Sequence, residues 1–418
     1  MHIIWAQQLF KKGSVLLSGQ DEIKVIKPGI RNSNAGPDFG QAKIHMSGLE
    51  WIGAIEIHVR ASEWNDHNHQ RDASYQAVIL HVVWENDKEV YRLDGSLVPC
   101  LEIKNMVEFE VVLKYRSLLS SEKKAIRCAT FLPHIQPFVI IGMQERVLVE
   151  RLERKANDIL TRLESNQNDW IETFFQTIAW CLGLQVNAEP MLVLSQSIPV
   201  KILAGQGWNP DKMSAILLGQ AGFLEDPKGP ASEKLKTEYQ FIQNKYGISG
   251  PPLLWKLFRL RPGSFPKQRL ALLATIISNL PAWFDMLTEV SNPDDFFRKI
   301  ENSKKSELLT TYLQENGFEK FDFKITDFIR NNLVINVFSP FLTAFSLYKN
   351  QKEWIEKALD WLSATKSEQN AIIKAWSENN IKSNSAAESQ ALNELYKKYC
   401  CEKRCMECQV GTSVLKLK

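Results

Sequence analysis

No run in this chain reaches the roughly 18 apolar residues that a membrane-spanning helix needs, so no membrane partner is expected. The N-terminus, Met1-His-Ile-Ile-Trp-Ala-Gln-Gln-Leu-Phe10, lacks a basic start, a long apolar core and a small-residue cleavage site. No signal peptide is therefore expected, and the expected compartment is the cytoplasm, where thiols stay reduced. Charge of one sign is scarce: a formal net charge of +3 is too small to demand nucleic acid or an anionic surface. No fixed-period repeat is found, so a solenoid is not expected. Gly219-Gln-Ala-Gly222 lacks the lysine of a phosphate loop. Ser62 and Cys181 lack a nucleophile context, so triad chemistry is set aside.

What is present is ordinary in bulk and uneven in place. Hydrophobic content of 44% suits a globular protein, and 418 residues allow two or three domains at about 100–200 residues each. Residues 1–10 read as a short amphipathic helix with Trp5, Leu9 and Phe10 on one side. Val15–Leu17, Ile23–Ile26, Ala42–Ile44, Ile52–Val59 and Val78–Trp84 read as strands. Residues 86–104 form a hairpin candidate around Asp94-Gly95. Beyond residue 108, helix formers dominate. Phe138–Leu163 carries helical spacing with an Arg/Glu-rich outer face, read as solvated and laced with i,i+4 pairs. Further helices are expected over Asp169–Leu184, Asp211–Ala221, Glu233–Lys245, Pro266–Leu280, Pro293–Ile300, Ser306–Asn316, Asp322–Phe338, Gln351–Trp361 and Glu368–Glu378. The expected fold class is α+β. A β-rich domain spans residues 1–107, a helical body 108–395, and a cysteine-bearing tail 396–418.

Histidine is sparse but concentrated. Six of the chain's seven histidines lie in the first 81 residues, and four of them between positions 58 and 81. Glu56 and His58 stand at i and i+2, on one face of a strand. Asp38 follows a Gly-Pro pair eighteen residues upstream, behind Asn32, Asn34 and Gly36, which suit a tight loop. Two carboxylates, Asp38 and Glu56, would hold Mg²⁺ or Mn²⁺. His58 and Arg60 would orient water or phosphate. Trp64-x2-His67-x-His69-x2-Asp72 offers a second ligand set, His67, His69 and Asp72, suited to Zn²⁺. Asp72 equally suits the N-cap of the residues after it. His81, inside an apolar run, reads as a satisfied core residue.

Cysteine is arranged otherwise. Cys100, Cys128 and Cys181 are scattered, while Cys400, Cys401, Cys405 and Cys408 fall within nine residues. An odd total with terminal clustering makes a poor disulfide framework and a better ligand set. Cys400-x4-Cys405-x2-Cys408 is a chelate spacing for Zn²⁺ or an iron–sulfur cluster. The fourth ligand would be Cys401, Cys128 or Cys100, with Cys128 preferred over Cys100. The basic loop Arg259–Arg269 leads into a helix and could meet phosphate or tie loops together.

Several stretches together resemble a bacterial family catalogued as a domain of unknown function. They are Asn34-Ala-Gly-Pro-Asp38-Phe, Ile55-Glu-Ile-His58, Ser62-Glu-Trp64, His67-Asn-His69, Val78–Val83, Gly219-Gln-Ala-Gly-Phe223, Arg259-Leu-Arg-Pro262 with Phe265-Pro266 and Arg269-Leu270, and Lys403-Arg-Cys405 with Cys408. Glu63 departs from the aspartate expected there. More locally, Pro37-Asp38 … Glu56-x-His58 is similar to the PD-(D/E)xK nuclease motif, with His58 in place of lysine. That likeness implies a restriction-endonuclease-like core, phosphodiester hydrolysis and a nucleic-acid partner. Some nucleases of that superfamily carry a four-cysteine iron–sulfur staple, which the tail resembles in outline. A non-catalytic scaffold with structural cysteines and a His-rich zinc hydrolase are the alternatives.

Overall fold

The structure, a computed structural model, describes residues 1–11, 16–18, 21–32, 35–120, 125–261, 263–300, 306–318 and 325–417. Val15, Asn34, Pro262 and residues 322–324, which enter the sequence reading, lie outside them. The chain is α+β and forms two compact units, Met1–Met143 with Tyr396–Lys418, and Gln144–Leu395. Among the described residues no single helix is long and apolar enough to cross a membrane.

The first unit is built on a seven-stranded sheet. Its strands are β1 (Leu16–Ser18), β2 (Asp21–Lys27), β3 (Ile30–Arg31), β4 (Phe39–Met46), β5 (Leu49–Arg60), β6 (Val78–Glu85) and β7 (Cys100–Glu102). The order is β1-β2-β4-β5-β6-β7, with β3 beside β4. The pairs from β1 to β5 are antiparallel, and β5-β6-β7 run parallel. Between β4 and β5 the chain reverses through Ser47 and Gly48, whose φ angles of +53° and +79° give the twist a two-residue hairpin requires. The parallel half explains the apolar run in β6: Val78 to Val83 are all buried, as a strand covered on both faces demands. Gly53 lets β5 approach its neighbour, since a Cβ there would sit 2.4 Å from Ile79 Cγ2 and 2.5 Å from the Ala77 carbonyl oxygen.

A parallel pair cannot be joined by a tight turn. The crossover from β5 to β6 winds through a helical turn, Glu63–Asp66, and two 3₁₀ turns, His69–Arg71 and Ala73–Tyr75. Trp64 anchors it, fully buried, with its indole N–H donating to the Tyr91 carbonyl at 3.1 Å. Trp64, Tyr75, Ala54, Val78, Val90 and Val98 pack as one apolar cluster beneath the crossover.

The hairpin expected over 86–104 is reduced to a single antiparallel bridge, Tyr91 to Leu97, around Gly95. The following strand does not fold back on it. Cys100–Glu102 instead joins β6 in parallel, where its register pairs Leu101 with Val82. The N-terminal helix is shorter than expected, His2–Ala6, and buries Ile4 and Trp5.

The second unit is helical. Asp169 and Ser306 cap their helices by accepting N–H bonds from Glu172 and Leu309, as the sequence predicts for such residues. The helix expected from 322 begins at Asp327, behind a Thr326 cap, and passes into a π-turn over Val334–Phe338. A further helix, Leu184–Gln196, absent from the sequence reading, contains Pro190; a break at Asn187 (φ −121°) lets two helical pieces meet. The charged face of Pro137–Ser165 is mostly as read, with Arg146 and Glu150 paired at 2.8 Å. Arg151 is the exception: it is 5% exposed, near Asn336, because it falls on the packed side of the helix.

Candidate metal centre

Four polar residues of the sequence pattern, Glu56, His58, His67 and His69, meet over the parallel half of the sheet. Asp38 precedes β4, and Glu56 and His58 lie on β5. The register sets Glu56 opposite His81 on β6. The crossover then folds His67 and His69 over His58, with Trp64 as its fixed point. His58 and His69 stack with ring centres 5.3 Å apart, and His67 meets both edge-on. One nitrogen from each of His58, His67 and His69 lies within 4.8 Å of the other two. Glu56 Oε1 is 3.4 Å from His58 Nε2 and 3.4 Å from His69 Nε2, and His58 Nε2 is 3.1 Å from His67 Nδ1. Ligands about 2.0–2.1 Å from a tetrahedral ion are separated by about 3.3 Å. The three measured edges fall close to that value.

Burial sets the protonation of this group. Glu56 is 6% exposed; burial, and then the charge of Asp38, push its carboxyl up to about 8. Burial lowers His58 to about 4, helped by charge on His69 and His67. His81 falls to about 3, again through burial and then through His58 and His69. His69 is lowered by burial and by His67. Neutral imidazoles present lone pairs, and the His69 Nε2 atom is buried without a hydrogen-bond partner. That is the state a metal ligand needs.

A supporting layer surrounds the cluster. His58 Nδ1 is 2.9 Å from His81 Nε2. Tyr75 stacks on His69 at 3.7 Å. Asp38 Oδ2 accepts from the Ile57 N–H at 3.0 Å, its Oδ1 lies 3.0 Å from His2 Nε2, and its own N–H donates to Glu56 Oε2 at 3.0 Å. Burial would raise the Asp38 carboxyl, but the His2 hydrogen bond and charge, with the Ile57 amide, outweigh it and leave the pKa lowered.

Glu56, His58, His67 and His69 are thus brought together, with Asp38 behind Glu56. Arg60 is not in the cluster: it is exposed and points to Glu63, with Nε 3.9 Å from Oε1. Asp72 is also outside it. Its carboxylate accepts from the Ser74 N–H at 2.9 Å and the Ser74 hydroxyl at 2.6 Å, which makes it the cap of the last 3₁₀ turn. The sequence reading took His81, inside its apolar run, for a satisfied core residue and not for a neighbour of His58. It passed over His2, which lies 36 residues from its partner with no local pattern to mark it. The basic loop 259–269 belongs to the other unit, where Arg269 is buried beside Cys181.

The chain belongs to the family described as protein of unknown function (DUF2851), whose model matches residues 1–371. The matched span holds the whole histidine cluster and stops short of the cysteine tail. No curated protein and no solved structure matches the chain.

Proposed function

We propose that the N-terminal unit is a metal-dependent hydrolase whose ion is held by His58, His67 and His69, with Glu56 beside the fourth position. The observation that carries this reading is the convergence of three imidazole nitrogens within 4.8 Å, with Glu56 Oε1 3.4 Å from two of them. Imidazole-rich sets favour zinc and its neighbours over magnesium. Bound zinc would supply an activated water near neutral pH. The protein's own residues supply the rest. His58 and Glu56 close the buried side, while His67 is exposed and leaves the opposite side open to water and substrate. A closed structural site would lack that open side.

The phosphodiesterase reading with Asp38 and Glu56 as Mg²⁺ ligands is supported less well. Their proximity, visible in the raised Glu56 carboxyl, favours it. Against it, both Asp38 oxygens already have partners in His2 and Ile57, so Asp38 acts as a brace for Glu56 rather than as an open ligand.

The test is metal content by elemental analysis, followed by hydrolysis of a phosphodiester and a carboxylic ester with Zn²⁺, Mn²⁺ or Mg²⁺ added to stripped protein. One zinc per chain at this centre, with hydrolysis lost at least about 100-fold in His58→Ala and His69→Ala, is the expected result. Activity restored by Mg²⁺ alone and insensitive to His67→Ala would return the centre to the carboxylate reading. Failure to bind any metal would overturn both.

A further inference from the structure

Far from the histidines in sequence but inside the same unit, four thiols are gathered. Cys400, Cys405 and Cys408 come from the tail, and Cys128 from the loop that opens the turn Ala129–His134. The gathering is built by backbone and by one arginine. Arg127 donates through Nε to the Cys400 carbonyl at 3.0 Å and through Nη1 to the Leu119 carbonyl at 2.9 Å, which rivets the Cys128 loop to the tail. Lys403, in the left-handed region at φ +58°, turns the tail back so that the Arg404 N–H reaches the Tyr399 carbonyl at 2.8 Å. Cys408 is the cap residue of the helix Gln409–Lys416. Gly411 lies flat against Cys405: a Cβ there would fall 2.1 Å from the Cys405 carbonyl oxygen.

Three of the four thiols are dry. Cys128, Cys405 and Cys408 are each 7% exposed or less. Among the described residues none of the seven cysteines forms a disulfide. Burial pushes the Cys128 thiol up to about 12, with Cys408 and Cys405 adding to the rise. Burial raises Cys400 too, and the next contributions come from Cys128, Cys408 and Cys405. An inert apolar patch would need only burial. It would not need two tail thiols in the Cys-x2-Cys chelate spacing and a third segment riveted beside them.

We propose that Cys128, Cys400, Cys405 and Cys408 form a four-thiolate site for a thiophilic metal. On binding, each S–H bond is replaced by an S–metal bond and its proton passes to solvent, with no change of oxidation state. The ion ties the tail to the Cys128 loop and offsets the mutual repulsion of the four thiolates. Cys401, exposed and beside Cys400, is not a ligand.

The test uses full-length protein carrying His58→Ala and His69→Ala, so that the histidine centre does not contribute. Co²⁺ is titrated into the reduced protein under argon, and thiolate-to-cobalt charge-transfer absorbance is read. One Co²⁺ per chain is expected, with that absorbance lost in Cys405→Ser/Cys408→Ser and in Cys128→Ser, and unchanged in Cys401→Ser. Iron with sulfide in protein purified without oxygen, lost in the same variants, would also support the site and identify its metal as a cluster. Cobalt binding without thiolate absorbance, or absorbance retained in Cys128→Ser, would overturn it. Should the serine variants fail to fold, alkylation of the unaltered protein decides: Zn²⁺ should protect four thiols from iodoacetamide, and absence of protection would refute the proposal.

Discussion

His58 and His81 share a hydrogen bond on neighbouring parallel strands, Nδ1 to Nε2 at 2.9 Å, with His81 completely buried. If His58 Nδ1 carries the proton, His58 Nε2 is left as a lone pair directed at His67, His69 and Glu56. A partner of this kind fixes the tautomer and ring angle of a metal ligand. His81→Phe keeps a buried aromatic ring but removes the acceptor. Zinc affinity should fall about 10–100-fold, read by competition with a chelating dye, while the circular dichroism spectrum is retained. Unchanged affinity would show that His81 is only a packing residue.

Asp38 acts on Glu56 through charge. Asp38→Asn keeps an oxygen to accept from the Ile57 N–H but removes the negative charge that helps raise the Glu56 carboxyl to about 8. The Glu56 pKa should therefore fall in the metal-free protein, as ¹³C-carboxyl NMR would report. A Glu56 titration unmoved by the substitution would contradict the coupling.

The metal-free centre should make stability depend on pH in both directions. Glu56 has a folded pKa raised to about 8 above its ordinary 4.5, so its contribution is fully present below 4.5 and is lost as pH rises through 8. His58 and His81 have folded values lowered to about 4 and about 3 from 6.5, so theirs is present above 6.5 and is lost as pH falls. Two or more histidines outweigh one carboxyl on the acid side. Urea midpoints of stripped protein should therefore peak near pH 6.5 and decline on either side. Glu56→Gln should flatten the alkaline limb and steepen the acid limb between pH 4.5 and 6.5. A curve that rises steadily from pH 7 to 9 would contradict these assignments.

Trp64 carries the crossover mechanically. It is fully buried in the cluster with Tyr75 and Val78, and its N–H is bonded to the Tyr91 carbonyl. Trp64→Ala should cost about 3–5 kcal/mol of stability by the usual scale for large aromatic truncations. Zinc affinity should fall with it, because His67 and His69 flank the anchored turn. Thermal melts with and without zinc would separate the two effects.

The sequence shows the pieces of this centre better than their joins. The strands around Ile52–Val59 and Val78–Trp84 are readable because β-branched runs bounded by turn residues have few other uses. The His67-x-His69 pair is readable from spacing alone. The parallel pairing of β5 with β6 is not, and it is this pairing that sets His81 beside Glu56. Asp72 and Arg60 look like site residues in one dimension. A local Ser74 partner and a local Glu63 partner account for them in three. His2 was invisible for the opposite reason: its contact with Asp38 depends on how the first helix is placed.

The winding of the β5–β6 crossover has one more consequence. Two of the imidazoles lie on it, and the other two groups of the quartet lie on β5, the strand it leaves. The four groups are held together by a crossover whose anchor, Trp64, packs against Val78 of the docked β6. An ion at the proposed centre would therefore read out topology rather than composition. A chain with intact strands and turns, but with β6 misplaced, would carry every ligand and still be unable to hold zinc.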